Sequence, residues 1–387
     1  MDYTYQDNGE RQELLRNVKT VVIKVGTQLL TDMAGESKEE RVRRLVEQIA
    51  ELRSRGIAVI LVSSGAIGAG MTVLQNKDRP RGLSDMQAHA AVGQSRLMYL
   101  YETACNAFGF HCGQLLLTAG DVQSRDRHLN TSACLKALLE KGVLPIINEN
   151  DTVSVEAIRF GDNDILAALV AAMIKADLTI LLTTVDGMQE FDMAGGEHPQ
   201  ARISLVSRIT PSLRAMASGT DGNKFSTGGM TTKLRAAEIV TTAGEGLWIA
   251  DGTRFDFVES MFAGQDVGTL FLPAKSDRMK GRERYLAFFS GTAGEALIDA
   301  GAIKALTEDG SSLLPSGIKA IRGEFERGQT ILIADEDGSE VARGITNYSS
   351  EELNRIKGLR TDAARAALEG PPTVDEVVHR NSMVLTR

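Results

Sequence analysis

Short apolar segments alternate with longer helical segments through the first two thirds of the chain. Six segments are brief and mostly β-branched or leucine-rich, and they are Val21–Val25, Ala58–Val62, Gln114–Leu117, Val143–Ile147, Leu178–Leu182 and Leu247–Ile249. Such runs are typical of buried parallel strands. Apolar residues recur at helical spacing between them, in Lys38–Arg55, Asp85–Phe108, Asp126–Lys141, Asp164–Lys175 and Thr231–Ala243. The alternation predicts an α/β sandwich with a mainly parallel sheet.

Polar or glycine-rich segments lie at or directly after the ends of four predicted strands. These segments are Lys24–Thr27, Ser63–Gly70, Asn148–Asp151 and Thr183–Thr184. Open α/β sheets bind their ligands beyond the carboxyl ends of the strands. We therefore expect the four segments to converge on one edge of the sheet.

A lysine lies close to glycine at two distant places in the chain. Lys24 and Gly26 end the first predicted strand, and Lys233 follows the turn Thr227–Gly229. Phosphoryl transfer needs positioning and positive charge more than covalent chemistry from the protein. Two such lysines suggest a phosphate held from two sides, and hence a kinase. Either glycine segment alone is explained equally well by a tight turn.

The familiar nucleotide-binding motifs are absent from the sequence. There is no Gly-x-x-x-x-Gly-Lys-Ser/Thr loop, and Gly65–Gly70 lacks the spacing of a dinucleotide fingerprint. The catalytic-loop motifs of protein kinases are also missing. The kinase would therefore belong to another structural class.

Composition limits the possible partners and compartments. A chain of 387 residues with 43% hydrophobic content can bury a large core and favours two domains. Its net charge of −8 argues against a general nucleic-acid or anionic-membrane binder. Three cysteines without metal-ligand spacing indicate buried, reduced thiols. With a polar amino terminus and no apolar run of membrane-spanning length, a cytoplasmic protein without a membrane partner is expected.

The pattern changes after Leu272. The composition of residues 273–280 is that of a linker, and short predicted strands follow at Arg284–Phe289, Ala320–Gly323, Gln329–Ala334 and Glu340–Ile345. Asp337-Gly338 between the last two strands is a hairpin signal. We expect an α/β domain over 18–272, a linker over 273–280 and a small β-rich domain over 281–375.

Amide and carboxylate side chains crowd into two neighbouring segments. Asn148–Asp151 ends one predicted strand, and Asp162–Asp164 precedes an apolar helix. A polar residue before such a helix usually caps it, and for Asp162 alone capping is the better explanation. Capping does not explain so many polar residues between apolar segments. Together they indicate a ligand site at the sheet edge.

The order of these motifs resembles the glutamate 5-kinases of the amino acid kinase superfamily. The matching segments are Lys24–Thr27, Ser63–Gly70, Ala91–Ser95, Ile147–Asp151, Gly161–Asp164 and Thr227–Lys233. Gly310–Ile318 and Phe325–Gln329 resemble the PUA domain appended to bacterial members. The resemblance implies phosphorylation of the γ-carboxylate of L-glutamate by ATP with Mg²⁺, the first step of proline biosynthesis.

The resemblance also implies residue roles. Ser64, Asp151 and Asn163 would bind glutamate, surrounded by Asn148 and Asp162. Asp151 can pair with the α-ammonium group, while Ser64 and Asn163 offer hydrogen bonds to carboxylates. The catalytic residues would be Lys24, Asp164 and Lys233, with Asp164 holding the two lysines around the migrating phosphoryl group. No general base is required, because the γ-carboxylate is already ionised at neutral pH.

Nucleotide contacts are implied for three segments. The residues are Lys24, Gly26, Thr183, Thr184, Thr227, Gly228, Gly229, Met230, Thr231, Thr232 and Lys233. Two positions depart from the family pattern. Thr183-Thr184 stands where Thr-Asp is common, and Met188–Phe191 replaces a Leu-Tyr pair. We therefore expect base or ribose contacts to differ while the phosphate chemistry is kept.

The resemblance implies partners, and three alternatives stay open. Proline is the expected feedback inhibitor, a homodimer or homotetramer the expected assembly, and glutamyl phosphate reductase a possible recipient of the labile product.

The alternatives are an aspartate, acetylglutamate, carbamate or nucleoside-monophosphate kinase, an RNA-binding PUA protein, and an inactive regulatory homologue. Residues 281–387 carry 13 Lys and Arg against 17 Asp and Glu, a net charge of −4, which disfavours RNA. The intact Lys24, Asp164 and Lys233 disfavour an inactive homologue.

Overall fold

The chain divides into two compact units, Met1–Arg278 and Met279–Arg387. The computed structural model describes residues 2–7, 9–31, 35–154, 162–191, 199–219, 229–274, 278–368 and 374–386. Within these ranges no helix has both the length and the apolarity to cross a membrane. Residues 275–277 of the predicted linker lie outside the described residues.

The first unit is built from eleven strands and ten helices in the described ranges. The strands are β1 Tyr3–Thr4, β2 Thr20–Val25, β3 Ala58–Ser63, β4 Cys112–Leu117, β5 Leu144–Glu149, β6 Leu178–Thr183, β7 Gln189–Phe191, β8 Pro199–Arg202, β9 Leu205–Val206, β10 Gly246–Asp251 and β11 Thr269–Phe271. The helices are α1 Glu10–Arg16, α2 Lys38–Ser54, α3 Ala66–Val73, α4 Leu83–Ala107, α5 Ala119–Gln123, α6 Arg125–Glu140, α7 Asn163–Ile174, α8 Pro211–Gly219, α9 Met230–Thr242 and α10 Phe257–Phe262. All strands and helices predicted for this part of the chain are confirmed.

A nine-stranded sheet forms the centre of the first unit, in the order β1-β9-β11-β10-β6-β2-β3-β5-β4. The six predicted strands, β10, β6, β2, β3, β5 and β4, are all parallel to one another. From β2 the chain moves to β3 on one side, whereas β6 pairs on the other side of β2. This reversal of direction opens a crevice at the carboxyl ends of the three strands. Val25 lies in register with Ser63 and Leu182, so the predicted convergence of strand ends is confirmed.

The alternation of side chains along β2 determines which way Lys24 points. Val21, Ile23 and Val25 join Leu45 and Ile49 of α2 in one hydrophobic core. Because successive side chains of a strand face opposite sides of the sheet, Lys24 lies on the other face. Helix α7 contacts β2 as well as α9. Both faces of β2 are therefore covered, which explains its nearly continuous apolar sequence.

Glycines allow α3 and α4 to cross at very short range. Gly65, at the turn from β3 into α3, has a φ of 102°, in the left-handed region. A Cβ atom on Gly70 would lie 1.9 Å from the carbonyl oxygen of His89, and one on Gly93 would lie 1.8 Å from that of Ala66. The glycine segment after β3 thus serves a turn and a helix crossing. Helix α3 itself was not predicted, since a short glycine-rich run has low helix propensity.

The second unit contains a five-stranded sheet in the order β13-β12-β14-β15-β16. Its strands are β12 Gly294–Ile298, β13 Ile318–Arg322, β14 Thr330–Ala334, β15 Glu340–Ile345 and β16 Met383–Leu385. Its helices are α11 Gly281–Arg284, α12 Ala300–Thr307, α13 Ser350–Ile356 and α14 Thr361–Ala367. The predicted hairpin is confirmed: β14 and β15 are antiparallel, and Gly338 in the turn between them has a φ of 83°.

The strand predicted at Arg284–Phe289 is wrong. Residues 281–284 form α11, which continues into a π-helical turn at Tyr285–Phe289. The Glu283 side chain accepts a hydrogen bond from the backbone N–H of Lys280 and favours a helical start. Leu286 and Phe289 are buried one helical turn apart. Aromatic residues favour strands in general, but their β-propensity depends on the surrounding packing.

Candidate active site

Asp164 joins two lysines that are distant in sequence. Lys24 Nζ on β2 lies 2.7 Å from Asp164 Oδ1, and Lys233 Nζ on the first turn of α9 lies 2.9 Å from Asp164 Oδ2. Asp164 is completely buried, and each lysine is 6% exposed. The two predicted phosphate-binding lysines are therefore brought together, one on each oxygen of a single carboxylate.

Asp162 has both of the roles considered for it. Its side chain accepts a hydrogen bond from the N–H of Asp164 at 3.2 Å, so it caps α7. The same carboxylate lies 3.8 Å from Lys24 Nζ and accepts a hydrogen bond from Thr232 Oγ1 at 2.9 Å. Capping is thus confirmed, and the cap residue also belongs to the lysine cluster.

The electrostatic environment favours the charged forms of Asp164 and Lys24. Burial alone would raise the pKa of Asp164, but Lys24 and Lys233 together hold it below its usual value. Burial would likewise lower the pKa of Lys24, but Asp164 and then Asp162 raise it. Burial and the neighbouring Asp164 raise the pKa of Asp162. Lys24 and Asp164 are therefore both charged at neutral pH.

A second group of polar side chains, here called the amide chain, is connected by hydrogen bonds to Asn163 at the start of α7. Asn163 Nδ2 donates to Ser64 Oγ at 2.7 Å, to Asn148 Oδ1 at 3.0 Å and to the backbone carbonyl of Ser63 at 3.3 Å. Asn148 is buried at the end of β5, while Ser64 and Asn163 are half-buried. Three residues predicted to surround glutamate therefore contact one another.

Consecutive residues connect the lysine cluster with the amide chain. Asp162 and Asp164 contact the lysines, and Asn163 between them contacts Ser64 and Asn148. The first turn of α7 thus places two ion-paired ammonium groups beside a region of hydrogen-bonding groups. This arrangement suits a substrate with an anionic reacting end and a polar amino acid end.

Two buried residues of α4 were not predicted as site residues: Gln94 extends the amide chain, whereas the hydroxyl of Tyr101 contacts the neighbouring Ser63. Gln94 Oε1 accepts a hydrogen bond from Asn148 Nδ2 at 3.1 Å, and Tyr101 OH lies 2.8 Å from Ser63 Oγ. They are seven residues apart, which places them on one face of the helix. The sequence signal that could have indicated Gln94 is a polar residue that directly follows Ala91, Val92 and Gly93.

The other predicted nucleotide contacts lie at the ends of β2 and β6 and at the start of α9. A Cβ on Gly26 would lie 3.8 Å from Lys24 Nζ, and the carbonyl of Gly229 accepts a hydrogen bond from Thr232. Thr183 ends β6 and is half-buried, whereas Thr184 is exposed. Met230 and Thr231 begin α9, whose N-cap is Gly229 and thus has no side chain to accept from the first-turn amides.

The remaining predicted site residues are Thr227, Gly228 and Asp151. Thr227 and Gly228 lie outside the described residues. Asp151 is half-buried in the turn after β5, where its neighbour Asn150 donates from its backbone N–H to the carbonyl of Leu117.

In the described part of the chain, no group of three or more His, Cys, Asp or Glu side chains could hold a metal ion.

The comparisons with known proteins agree with this geometry. Residues 19–251 match the model of the amino acid kinase family. A glutamate 5-kinase of Trichlorobacter lovleyi is 44% identical over 97% of this chain and 99% of its own length. The chain belongs to the amino acid kinase family, among the glutamate 5-kinases. A second glutamate 5-kinase, from Moorella thermoacetica, is 42% identical over 96% of this chain and 97% of its own.

The remaining comparisons concern the second unit and the fold of this glutamate 5-kinase family member. Residues 294–368 match the PUA domain. Among solved structures, a carbamate kinase from Giardia lamblia is 20% identical and covers 66% of this chain and 99% of its own length, with a TM-score of 0.47. The predicted fold, an amino acid kinase sandwich followed by a small PUA-type domain, is confirmed, as is the kinase class.

Proposed function

We propose that this chain transfers the γ-phosphoryl group of ATP to the γ-carboxylate of L-glutamate, which gives L-glutamyl 5-phosphate and ADP. This reaction is the first step of proline biosynthesis. One observation carries the proposal: Asp164 holds Lys24 and Lys233 side by side, next to amide groups suited to an amino acid. The relationship to the glutamate 5-kinases supplies the substrate.

The lysine cluster would stabilise the migrating phosphoryl group. Lys24 and Lys233 approach Asp164 from different elements, so a phosphoryl group beside them would meet positive charge on two sides. The amino terminus of α9, with Gly229 as its N-cap, adds backbone donors and a positive helix dipole. Asp164 would keep both ammonium groups in place and take no proton. The nucleophile needs no base, because the γ-carboxylate is ionised at neutral pH.

The amide chain and Asp151 would bind the amino acid part of glutamate. Asp151 follows the strand that carries Asn148 and would pair with the α-ammonium group. Ser64 and Asn163 are joined by a 2.7 Å hydrogen bond and would provide the neighbouring contacts. Asp162, the sequence neighbour of Asn163, would border this shell and contacts Lys24 and Thr232 on the phosphate side.

Mg²⁺ would enter as part of the nucleotide substrate. Both carboxylates nearest the lysines are engaged, Asp164 by two ammonium groups and Asp162 by Thr232 and the α7 cap. Protein-bound Mg²⁺ in kinases is held largely by substrate phosphates and water. The nucleotide contacts proposed for Thr183, Thr184 and the segment Thr227–Thr232 complete the ATP site.

Several wider expectations from the sequence are also proposals. They are feedback inhibition by proline, a homodimer or homotetramer, transfer of the labile product to glutamyl phosphate reductase, and a cytoplasmic location. The domain limits of 18–272 and 281–375 also remain proposals. The structure divides the chain into two units after Arg278.

A parallel substrate assay tests the proposed function. ATP consumption is measured with L-glutamate, L-aspartate, N-acetyl-L-glutamate and carbamate, with and without EDTA. We expect turnover with glutamate alone, and its loss with EDTA. A gel-shift with structured RNA tests the alternative suggested by the PUA domain. Preference for another acceptor, or RNA binding without any kinase activity, would replace the proposed function.

A further inference from the structure

Backbone groups fix the orientation of two side-chain amides in the amide chain. The N–H of Glu149 donates to Asn148 Oδ1 at 2.9 Å, and the carbonyl of Ser63 accepts from Asn163 Nδ2 at 3.3 Å. A backbone N–H can only donate, and a backbone carbonyl can only accept. Rotating the amide of Asn148 by 180° would place its NH₂ group against the N–H of Glu149. The same rotation of Asn163 would place its oxygen against the carbonyl of Ser63. Asn148 therefore turns its oxygen, and Asn163 its nitrogen, toward the other.

Gln94 supports this orientation from inside the protein. Its Oε1 accepts from Asn148 Nδ2 at 3.1 Å, and no other acceptor reaches that nitrogen within the described ranges. Gln94 is 8% exposed and follows Gly93, where α4 crosses α3 at short range. The glutamine thus lies beside this helix crossing and accepts a hydrogen bond from the end of β5. A buried Asn148 without this acceptor would lose a hydrogen bond that water replaces poorly.

These hydrogen bonds determine which donor and acceptor groups the site offers to a ligand. Asn163 Nδ2 has two hydrogens, and Ser64, Asn148 and the Ser63 carbonyl all lie within reach of them. Its Oδ1 is left without a donor from the described residues. Ser64 Oγ accepts from Asn163, so its own hydrogen is available to donate. The pair offers a ligand one acceptor, from Asn163, and one donor, from Ser64.

We propose that Gln94 is a positioning residue for the amino acid substrate. It holds Asn148, and through it Asn163, so that Asn163 presents its oxygen to the α-ammonium group while Ser64 donates to a carboxylate. The inference rests on the proposed function, since it takes glutamate as the ligand. It gives Asn163 an ammonium role in place of the carboxylate role expected from the sequence.

Two substitutions of Gln94 test the role of its oxygen. Gln94→Met keeps the length of the side chain and removes the acceptor, whereas Gln94→Glu keeps an acceptor oxygen. We expect Gln94→Met to raise the KM for glutamate about tenfold, about 1.4 kcal/mol, with the KM for ATP within about twofold of wild type. Gln94→Glu should stay within about threefold. A folded Gln94→Glu with a tenfold higher KM, or a folded Gln94→Met with unchanged KM, overturns the proposal.

Tyr101→Phe is the matched control on the same helix. It removes the hydroxyl that lies 2.8 Å from Ser63 Oγ and leaves the amide chain intact. We expect the KM for glutamate to stay within about twofold of wild type. An increase equal to that of Gln94→Met would show a general disturbance of α4 and overturn the positioning role.

Inhibition by glutarate tests the assignment of Asn163, because glutarate has both carboxylates and no α-amine. Gln94→Met should leave the glutarate inhibition constant within about twofold while it raises the KM for glutamate. A parallel loss of glutarate binding would return Asn163 to a carboxylate role and overturn the proposal. Failure of glutarate to inhibit the wild type would contradict the role of Ser64. A wild type without glutamate-dependent ATP consumption would instead refute the proposed function itself.

Discussion

Asp164 is the residue on which the phosphate region depends, because each of its oxygens faces one lysine. Buried ion pairs add little to stability in general, since desolvation offsets their attraction. Removing one member is costly, however, because it leaves a buried charge without its partner. The cluster of Lys24, Asp164 and Lys233 is therefore better explained by the reaction than by folding.

Removal of either lysine should slow catalysis more than it weakens binding. We expect Lys24→Ala and Lys233→Ala each to lower kcat by about a hundredfold or more, the scale for losing one preorganised charge contact, with a smaller effect on the KM for glutamate. Steady-state kinetics measures this. The control is Lys136→Ala on the exposed face of α6, which should leave kcat unchanged. A folded variant with near wild-type turnover would show that the lysine has another role.

Substitution of Asp164 should change how stability depends on pH. The lysines lower the pKa of Asp164 in the folded protein, so its ionisation stabilises the fold above the unfolded pKa of about 4. That contribution is lost as the pH falls through the lower, folded pKa. We expect Asp164→Asn to lower the free energy of unfolding by about 3–5 kcal/mol at pH 7. The difference from wild type should shrink below about pH 4 in urea unfolding curves. A difference independent of pH would contradict the ionised form of Asp164.

Asp151 should contribute to binding of the amino acid. We expect Asp151→Ala to raise the KM for glutamate by about one to several orders of magnitude, because a buried ammonium group would lose its partner. The KM for ATP should change little, and Ser64→Ala should act in the same direction more mildly. The control is Asp78→Ala in an exposed loop. Unchanged affinity in Asp151→Ala would separate this turn from the substrate site.

At the scale of elements, the sequence predicts the helices and strands that bear the proposed site residues and misses some shorter elements. The six parallel strands are short, nearly continuous apolar runs, so hydrophobic pattern alone identifies them. Helix α3 and the π-helical turn at Tyr285–Phe289 lack such a signal, because glycine contacts and local packing determine them. Lys24, Asp164 and Lys233 were found by their motifs. Gln94 was missed as a site residue because its role arises from a hydrogen bond to a strand 54 residues away.

The crossing of α3 and α4 positions the amide chain and can be tested by one added methyl group. Gly93→Ala would place a Cβ 1.8 Å from the Ala66 carbonyl oxygen and 2.4 Å from the Gly70 nitrogen. The helices must then separate, at a cost of about 1–3 kcal/mol or more. We expect a lower midpoint of thermal unfolding and a higher KM for glutamate, since Gln94 moves with α4. Gly281→Ala, with open space around it, is the control. An unchanged midpoint in Gly93→Ala would show that the crossing adapts without cost.

At the scale of the whole molecule, the residues proposed for catalysis all lie in the first unit. The PUA-matching unit carries its own core, which includes Ile331, Ile333, Leu353 and Val377. Its basic residues Arg327 and Arg365 pair with Glu352 and Asp375. Such pairing, together with the net charge of −4 over residues 281–387, reduces the positive charge that an RNA backbone would require. A regulatory or assembly role for this unit is the expectation that remains.

Truncation separates catalysis from that second role. We expect a chain that ends near Leu272 to fold and to keep measurable glutamate-dependent ATP turnover, because the proposed catalytic residues lie before that point. A chain that ends after Arg278 should be more stable, since the Arg278 guanidinium pairs with Asp177, which also accepts from the backbone N–H groups of Lys19 and Thr20. Arg278→Ala in the longer form is the matched control and should lower the thermal midpoint without changing kcat. Loss of the second unit should change the proposed proline inhibition or the proposed oligomeric state, because a domain without chemistry of its own acts by biasing the first. A soluble, folded first unit without activity would instead show that the second unit contributes to the active site.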